Sequence, residues 1–330
     1  MASVDIIIPS YNSYKTINYA LASAAMQILD PEDSMLVTVV DDCSTDGVEY
    51  DAITNYWNAF MPCQLIQKDV NEGCGQARQT GMDETDGDYI VFLDADDAFV
   101  TPHALRYLMR AVKDYDLVMG QFVEETSDGA ILHQENYTWC HGKIYRRRFL
   151  ETHLIRFNKT RYNEDSGFNQ IIRFMTERKK YIPQIVYSWN NNTESTVRTD
   201  KSGYRGGYGW REFLENLCYV CEELRKRNLN KAIIRDFALE CTATLYFQYS
   251  DSYALKADED EENRKKLQEF YKRALRPYVL DGAVQWEHFA SEFIRHQADF
   301  KMVSIPPMTF KEFIKMLGYF DDMKKLYTRV

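Results

Sequence analysis

The chain has 330 residues, 45% hydrophobic and 14% aromatic, with a formal net charge of −10. That content supports a sizeable folded core and excludes wholesale disorder, and the acidic balance disfavours nucleic acid or an anionic membrane as a non-specific partner. No stretch approaches the roughly 20 apolar residues of a membrane span, and seven scattered cysteines, an odd number, suit reduced thiols better than a disulfide framework. The opening MASVDIII lacks a basic start and a cleavage site. The expectation is therefore a cytoplasmic protein whose membrane contact would be peripheral, at the inner face.

VDIIIPSYN is a short, continuously apolar strand that ends in a turn. A helical stretch, TINYALASAAMQIL, follows, then a second buried strand, MLVTVVDD. After the turn CSTDG come a helix around residues 48–60 and a strand, CQLIQKD. The loop NEGCG leads into a helix at QARQTGMDE, and DYIVFLD is the fourth strand. A helix at 102–113 and a strand, DLVMGQF, complete the run. Apolar strands separated by helices predict an α/β fold with a mostly parallel sheet and helices on both faces. Ligands bind at the carboxyl ends of such strands. Those ends carry Pro9 to Asn12, Asp41 and Asp42, and Asp94 to Asp97.

Residues 130–200 are mixed and loop-rich, and TDKSGYRGGYG at 199–209 has the composition of a hinge. From Trp210 the pattern is helical, with further segments near 262–276, 286–299 and 309–327. This predicts a catalytic domain over 1–205 and a helical domain over 206–330, serving oligomerisation or acceptor docking. Cys218 and Cys221 sit in an apolar helical stretch with no second cysteine pair, so a zinc site is not expected. Phe310, Phe313, Ile314 and Leu317 share one helical face.

The stretch FLDADDAF poses a chemical problem. Carboxylates crowded at the exit of a buried strand repel one another and resist burial. A hard divalent cation, Mg2+ or Mn2+, relieves that repulsion and can bridge to a diphosphate. Asp94 and Asp96 share a strand face if extended geometry persists.

IIIPSYN, VVDDCSTDG, NEGCGQARQTG, YIVFLDADD and NED occur in this order. Over about residues 4–200 the chain resembles family 2 glycosyltransferases with the Rossmann-like GT-A fold. The resemblance implies Asp96 as the principal metal ligand, with Asp94 near ribose and metal and Ala95 among the nucleotide-sugar contacts. Asp97 would stand behind them or cap the next helix. Pro9 and Tyr11 would lie beside a uracil, with Asp41 reading uracil or ribose and Asp42 assisting or satisfying the turn. Arg78 would reach the base or the diphosphate, the alternative being a surface helix arginine. Asp165 matches the family's catalytic aspartate, the base that takes the acceptor proton, and Glu164 would orient the acceptor or its loop. Arg198, with Lys201 and Arg205, would belong to a lid over the diphosphate. Trp139 and His141 are candidate acceptor contacts, and Arg146 to Arg148 are either a solvated helix start or a contact for an anionic acceptor.

The activity implied is inverting, metal-dependent transfer of a hexosyl or N-acetylhexosaminyl group from a UDP-sugar to a hydroxyl. The acceptor class would be a cell-surface polysaccharide, a teichoic-acid-like polymer or a lipid-linked glycan. A phage-type enzyme acting on modified DNA bases and a non-catalytic sugar-binding module are the alternatives. A nucleotidyltransferase would need a glycine-rich basic loop after the first strand, which PSYNSYKT does not supply.

Overall fold

β1 (Ser3–Ser10) is buried along nearly its whole length because it has a strand on each side. In the computed structural model, which describes residues 1–192, 207–250, 260–297 and 308–327, it runs parallel to β2 (Ser34–Asp41) and to β4 (Tyr89–Phe92). Ile6 is level with Val37 on one side and Val91 on the other. β3 (Cys63–Gln67) continues the parallel set beyond β2. Between these strands run α1 (Ile17–Ala25), α2 (Tyr50–Trp57) and α3 (Cys74–Asp83). The predicted elements of this half are present, their ends displaced by one to a few residues.

Strand periodicity sends alternate side chains to opposite faces. Val4, Ile6, Ile8, Val37, Val39 and Val91 share one core cluster with Ile17, Ala20, Leu21 and Ala24 of α1. Leu105, Leu108, Met109 and Val112 of α4 (Ala104–Val112) join it, spaced for one helical face. On the other face α3 packs closely. A Cβ added to Gly81 would lie 2.5 Å from Ile7 Cγ2 and 3.2 Å from Val40 Cγ2, so only glycine allows that approach. Phe92 sits there too, against Tyr145, Phe157 and Phe168.

The second half of the sheet departs from the parallel pattern. The nine-stranded order is β3-β2-β1-β4-β8-β6-β9-β5, with β7 pairing β6. Here β5 is Ala98–Phe99, β6 Leu117–Thr126, β7 Gly129–His133, β8 Lys143–Arg146 and β9 Lys179–Trp189. β8 is antiparallel to both β4 and β6, and β9 is parallel to β6. β5, β7 and β8 fall where the sequence suggested loops or went unassigned. They are short or edge strands, and an apolar run does not encode which way its strand enters the sheet. α5 (Arg147–Thr152) and α6 (Glu164–Met175) complete this part.

The chain divides into two compact units, Met1–Thr193 and Glu194–Val330. The expected boundary at 205/206 lies outside the described residues. The described part of the second unit is helical: α7 (Gly207–Lys226), α8 (Lys231–Ser250), α9 (Asp260–Phe270), a π-helical turn at Tyr271–Leu275, α10 (Arg276–Leu280), α11 (Trp286–Gln297), α12 (Phe310–Leu317) and α13 (Tyr319–Tyr327). The segment expected at 309–327 is two helices. Thr309 and Glu312 form a capping box at the first, and Gly318, at φ +104°, ends it in a left-handed turn. Phe310, Phe313, Ile314 and Leu317 are buried as one face. Tyr246 covers Phe310 and Phe313, and Phe293 covers Phe310, so that face is filled from within the unit. Cys218 and Cys221 are buried free thiols. No described helix is long and apolar enough to cross a membrane.

Of Arg146 to Arg148, Arg148 is exposed at the start of α5, as a solvated helix start would have it, whereas Arg146 is partly buried and Arg147 buried. Arg146 donates to the carbonyls of Val112, Lys113 and Tyr115. Arg147, 7% exposed, donates to Gly87 O (2.6 Å), Met82 O (2.6 Å), Asp5 Oδ2 (2.7 Å) and Thr85 Oγ1 (2.8 Å). It ties the start of β1 to the loop before β4. Removing one partner of a buried pair strands the other charge. Arg147→Met is expected to lower unfolding stability by about 3–5 kcal/mol, measured by urea denaturation. A loss within about 0.5 kcal/mol would mean that this bracket is dispensable.

Candidate active site

The exits of β1, β2 and β4 meet at one end of the sheet. The first two are knitted together. Thr45 N donates to Asn12 Oδ1 at 2.7 Å, Asn12 N to Ser44 Oγ at 2.8 Å and Ser13 N to the Tyr50 hydroxyl at 2.7 Å. Pro9 is buried and Tyr11 stands 49% exposed beyond it, its ring free for a planar ligand. Asp41 is buried and accepts from Ser44 N through Oδ1. Asp42 is 2% exposed, and both of its oxygens are taken: Oδ1 by Lys68 Nζ (2.6 Å) and Glu72 N (3.2 Å), Oδ2 by Gly73 N (2.7 Å). Asp42 therefore fixes the loop that enters α3 and not the turn that follows it.

At the exit of β4 each acid has a distinct environment. Asp94 Oδ1 accepts from Arg78 Nη2 at 2.7 Å, and Oδ2 lies 3.3 Å from His141 Nε2. Burial opposes ionisation of Asp94, but Arg78 and His141 overcome it and hold the carboxyl below its usual range. Ala95 is buried. Asp96 accepts from Asn192 Nδ2 through Oδ2 at 2.9 Å, and burial, then Asp94, push its carboxyl up. Asp97 is 1% exposed, accepting from the Tyr187 hydroxyl (2.6 Å) and from Asn190 N (2.9 Å). It does not cap the next helix, since α4 begins only at Ala104.

Asp94, Asp97 and His141 bring ligand atoms within 4.8 Å of one another, a grouping able to hold a metal ion. Both Asp97 oxygens accept hydrogen bonds and both Asp94 oxygens face Arg78 or His141, so the trio as it stands braces the loop. Asp94 and Asp96 carry carboxylate oxygens of the hard kind suited to Mg2+ or Mn2+.

Arg78 is neither a surface arginine nor open toward solvent. It is 4% exposed on α3, near the rings of Phe92 and Phe157. Its Nη2 holds Asp94, and its Nη1 donates to Glu164 Oε1 at 2.9 Å. Glu164 opens α6 with Asp165, where the helix dipole favours acids. Burial and Asp165 push the Glu164 carboxyl up against the pull of Arg78. Burial also raises Asp165, although Arg78 and His141 pull it down. Asp165 Oδ1 accepts from Ser166 N at 2.7 Å. A Cβ on Gly75 would lie 2.3 Å from Glu164 Cγ, so α3 and the start of α6 touch at a glycine.

Trp139 and His141 line the same region, stacked with centroids 6.3 Å apart. His141 also stacks on Tyr187 at 4.8 Å. Sequence reasoning did not single out Tyr187, Asn190 or Asn192, which grip Asp96 and Asp97. The signal for the two asparagines was the polar run after the last strand, within which Tyr187 does not fall, being inside β9. Arg198, Lys201 and Arg205 lie outside the described residues.

Residues 5–193 match the family model for glycosyl transferase family 2. The chain belongs to this family and has its GT-A fold. Among curated relatives, the poly(ribitol-phosphate) β-N-acetylglucosaminyltransferase TarS of Staphylococcus aureus is 30% identical over 211 residues, covering 59% of this chain and 36% of that protein. The putative glycosyltransferase EpsH of Bacillus subtilis is 23% identical over 223 residues, covering 59% and 63%. The chain thus spans less than two thirds of either relative. The crystal structure of S. aureus TarS 1-349 in complex with UDP-GlcNAc superposes with a TM-score of 0.70 at 17% identity, covering 90% of this chain and 92% of that one.

Arg78→Met leaves Asp94 and Glu164 without their shared cation, and stability at neutral pH should fall by about 3–5 kcal/mol. Asp94, whose carboxyl is held low, contributes stability that is present above its unfolded pKa of roughly 4 and lost as pH falls through the folded value. The variant lacks that contribution, so its deficit should narrow as the solution is acidified. Urea titrations at several pH values test this; a deficit independent of pH would contradict the clamp.

Proposed function

We propose that the chain transfers a sugar from a UDP-sugar to a hydroxyl of a cell-surface polymer, with inversion at the anomeric carbon. The observation carrying this is the Arg78 bridge, which puts the acidic strand exit and the Asp165 helix start into one site. The relative that acts on poly(ribitol phosphate) and the neighbour solved with UDP-GlcNAc support a polyol-phosphate acceptor and an N-acetylglucosaminyl donor.

In this reading Tyr11 stacks on the uracil, and Asp41, with Oδ2 outside its turn, accepts from base or ribose. Asp94 and Asp96 would hold a divalent cation, Mn2+ or Mg2+. The chemistry such a cation supplies when bound is neutralisation of charge on the diphosphate. Asp165 takes the proton of the acceptor hydroxyl as its oxygen bonds to the anomeric carbon. The bond to the UDP oxygen breaks in the same displacement, its electron pair leaving with UDP. An α-linked donor then gives a β-linked product. Glu164, fixed by Arg78, orients the acceptor beside Asp165, and Trp139 offers it an apolar face. Arg198 and its neighbours would cover the diphosphate and exclude water, a competing acceptor. A cytoplasmic location fits a donor made there.

Thermal shift tests the donor half. UDP with Mn2+ should stabilise the protein by about 2.7 kcal/mol at a hundredfold excess over Kd, and Asp96→Ala should remove the Mn2+-dependent part. If UDP stabilises equally with and without the ion, the metal assignment fails. For the base, Asp165→Asn should cut turnover of UDP-GlcNAc with poly(ribitol phosphate) by roughly 10²–10⁴-fold while leaving UDP binding intact. Asp165 must be ionised to act and burial raises it, so wild-type activity should fall with acidification starting above the ordinary carboxylate range. A rate constant down to pH about 4 would argue for another base.

A further inference from the structure

Lys143, the first residue of β8, is 1% exposed. Its ammonium donates to the Trp139 carbonyl and has no ion-pair partner among the described residues. Burying an ammonium against a single neutral acceptor costs stability that a methionine of similar length would not. The transfer chemistry described above makes no use of this group.

Its surroundings give it a use. The turn Thr138–Gly142 is gripped from two directions. Lys143 holds the Trp139 carbonyl. Asn169 of α6, fully buried, points Nδ2 toward Thr138 O (3.4 Å), Cys140 Sγ (3.5 Å) and Asp165 O (2.9 Å), and its Oδ1 accepts from the Tyr145 hydroxyl at 2.8 Å. Lys143 and the backbone carbonyl of Asp165 therefore hang on one hydrogen-bonded bracket. The charges point the same way. Arg78 and His141 pull the Asp165 carboxyl down from a distance, but Arg78 has its terminal nitrogens on Asp94 and Glu164, and no ion pair touches the Asp165 carboxylate among the described residues.

We propose that Lys143 is a positioning residue for the transfer reaction, its buried charge and its bond to Trp139 keeping Asp165 ionised and aligned toward the acceptor hydroxyl. This rests on Asp165 being the base.

The groups acting on Asp165 come from each packed element. From α3 they are Cys74 and Arg78, and from the β4 exit Asp94. From β8 and the turn before it they are Cys140, His141, Lys143 and Tyr145, and from α6 itself Glu164. Burial pushes the Lys143 ammonium down to about 8, with Cys140 and Asp165 opposing, so it carries its charge at neutral pH. Removing that charge makes ionisation of Asp165 harder, and the acid limb of the rate profile must move to higher pH.

The experiment compares Lys143→Met and Lys143→Gln with wild type, following UDP release from UDP-GlcNAc with poly(ribitol phosphate) between about pH 6 and pH 9. Glutamine keeps a donor for the Trp139 carbonyl without the charge. Both variants should shift the acid limb of kcat up by about one pH unit, a roughly tenfold loss at the acid end that fades as pH rises. Donor KM should stay within about threefold. A wild-type profile for Lys143→Gln overturns the proposal, as does an equal loss at every pH. Failure of both variants to fold, read by circular dichroism, assigns Lys143 to the core alone and also overturns it. Asp165→Asn in the same assay separates the two readings. If it remains active, the base assignment is wrong; if it is inactive and the lysine variants are unshifted, only the Lys143 inference falls.

Discussion

One guanidinium connects the two chemical halves of the site. Arg78 reaches from α3 to Asp94 at the end of β4 and to Glu164 at the start of α6. Those acids are far apart in sequence and would repel each other if brought together unpaired. A lysine could not replace this group, because only a planar fork presents two donors to two carboxylates in fixed directions. The rings of Phe92 and Phe157 near it limit its motion and keep water away, which strengthens both pairs.

The rest of the site follows from that bridge. With Asp94 held ionised, Asp96 and Asp97 experience its negative charge in a buried setting. The molecule answers differently for each. Asp97 receives a hydroxyl and a backbone amide from the last strand and its exit. Asp96 receives one side-chain amide and is left raised. Burial and the neighbouring acids raise Asp97 as well, and more strongly, so the two carboxyls differ in their partners and not in the sense of their shift. On the other flank, the aromatic stack of Trp139, His141 and Tyr187 forms a stiff wall behind Asp94.

Glycines decide whether these groups can meet. Gly81 lets α3 settle on Ile7 and Val40, and Gly75 lets the same helix touch Glu164. Arg78 lies between them on the helix, so its reach to both acids depends on two positions without side chains. The motif NEGCGQARQTG is thus a packing device as much as a chemical one.

Much of this was legible in the sequence. Apolar strands with acids at their ends located the ligand edge, because a continuous apolar run reports burial on both faces and a polar exit reports where burial stops. The pairing of Glu164 with Asp165 at a helix start was visible for a similar local reason. The sequence could not say that Asp42 holds the loop before α3, that Arg147 is buried at Asp5 or that Arg78 joins two acids. Each of those depends on contacts between residues tens of positions apart, and local periodicity carries no information about such partners. The direction of β8 between β4 and β6 was hidden in the same way. Residue pattern fixed which segments are buried and which ends are charged; only the folded chain decided which charges meet, since that is set by how helices and strands from distant parts of the chain pack against one another.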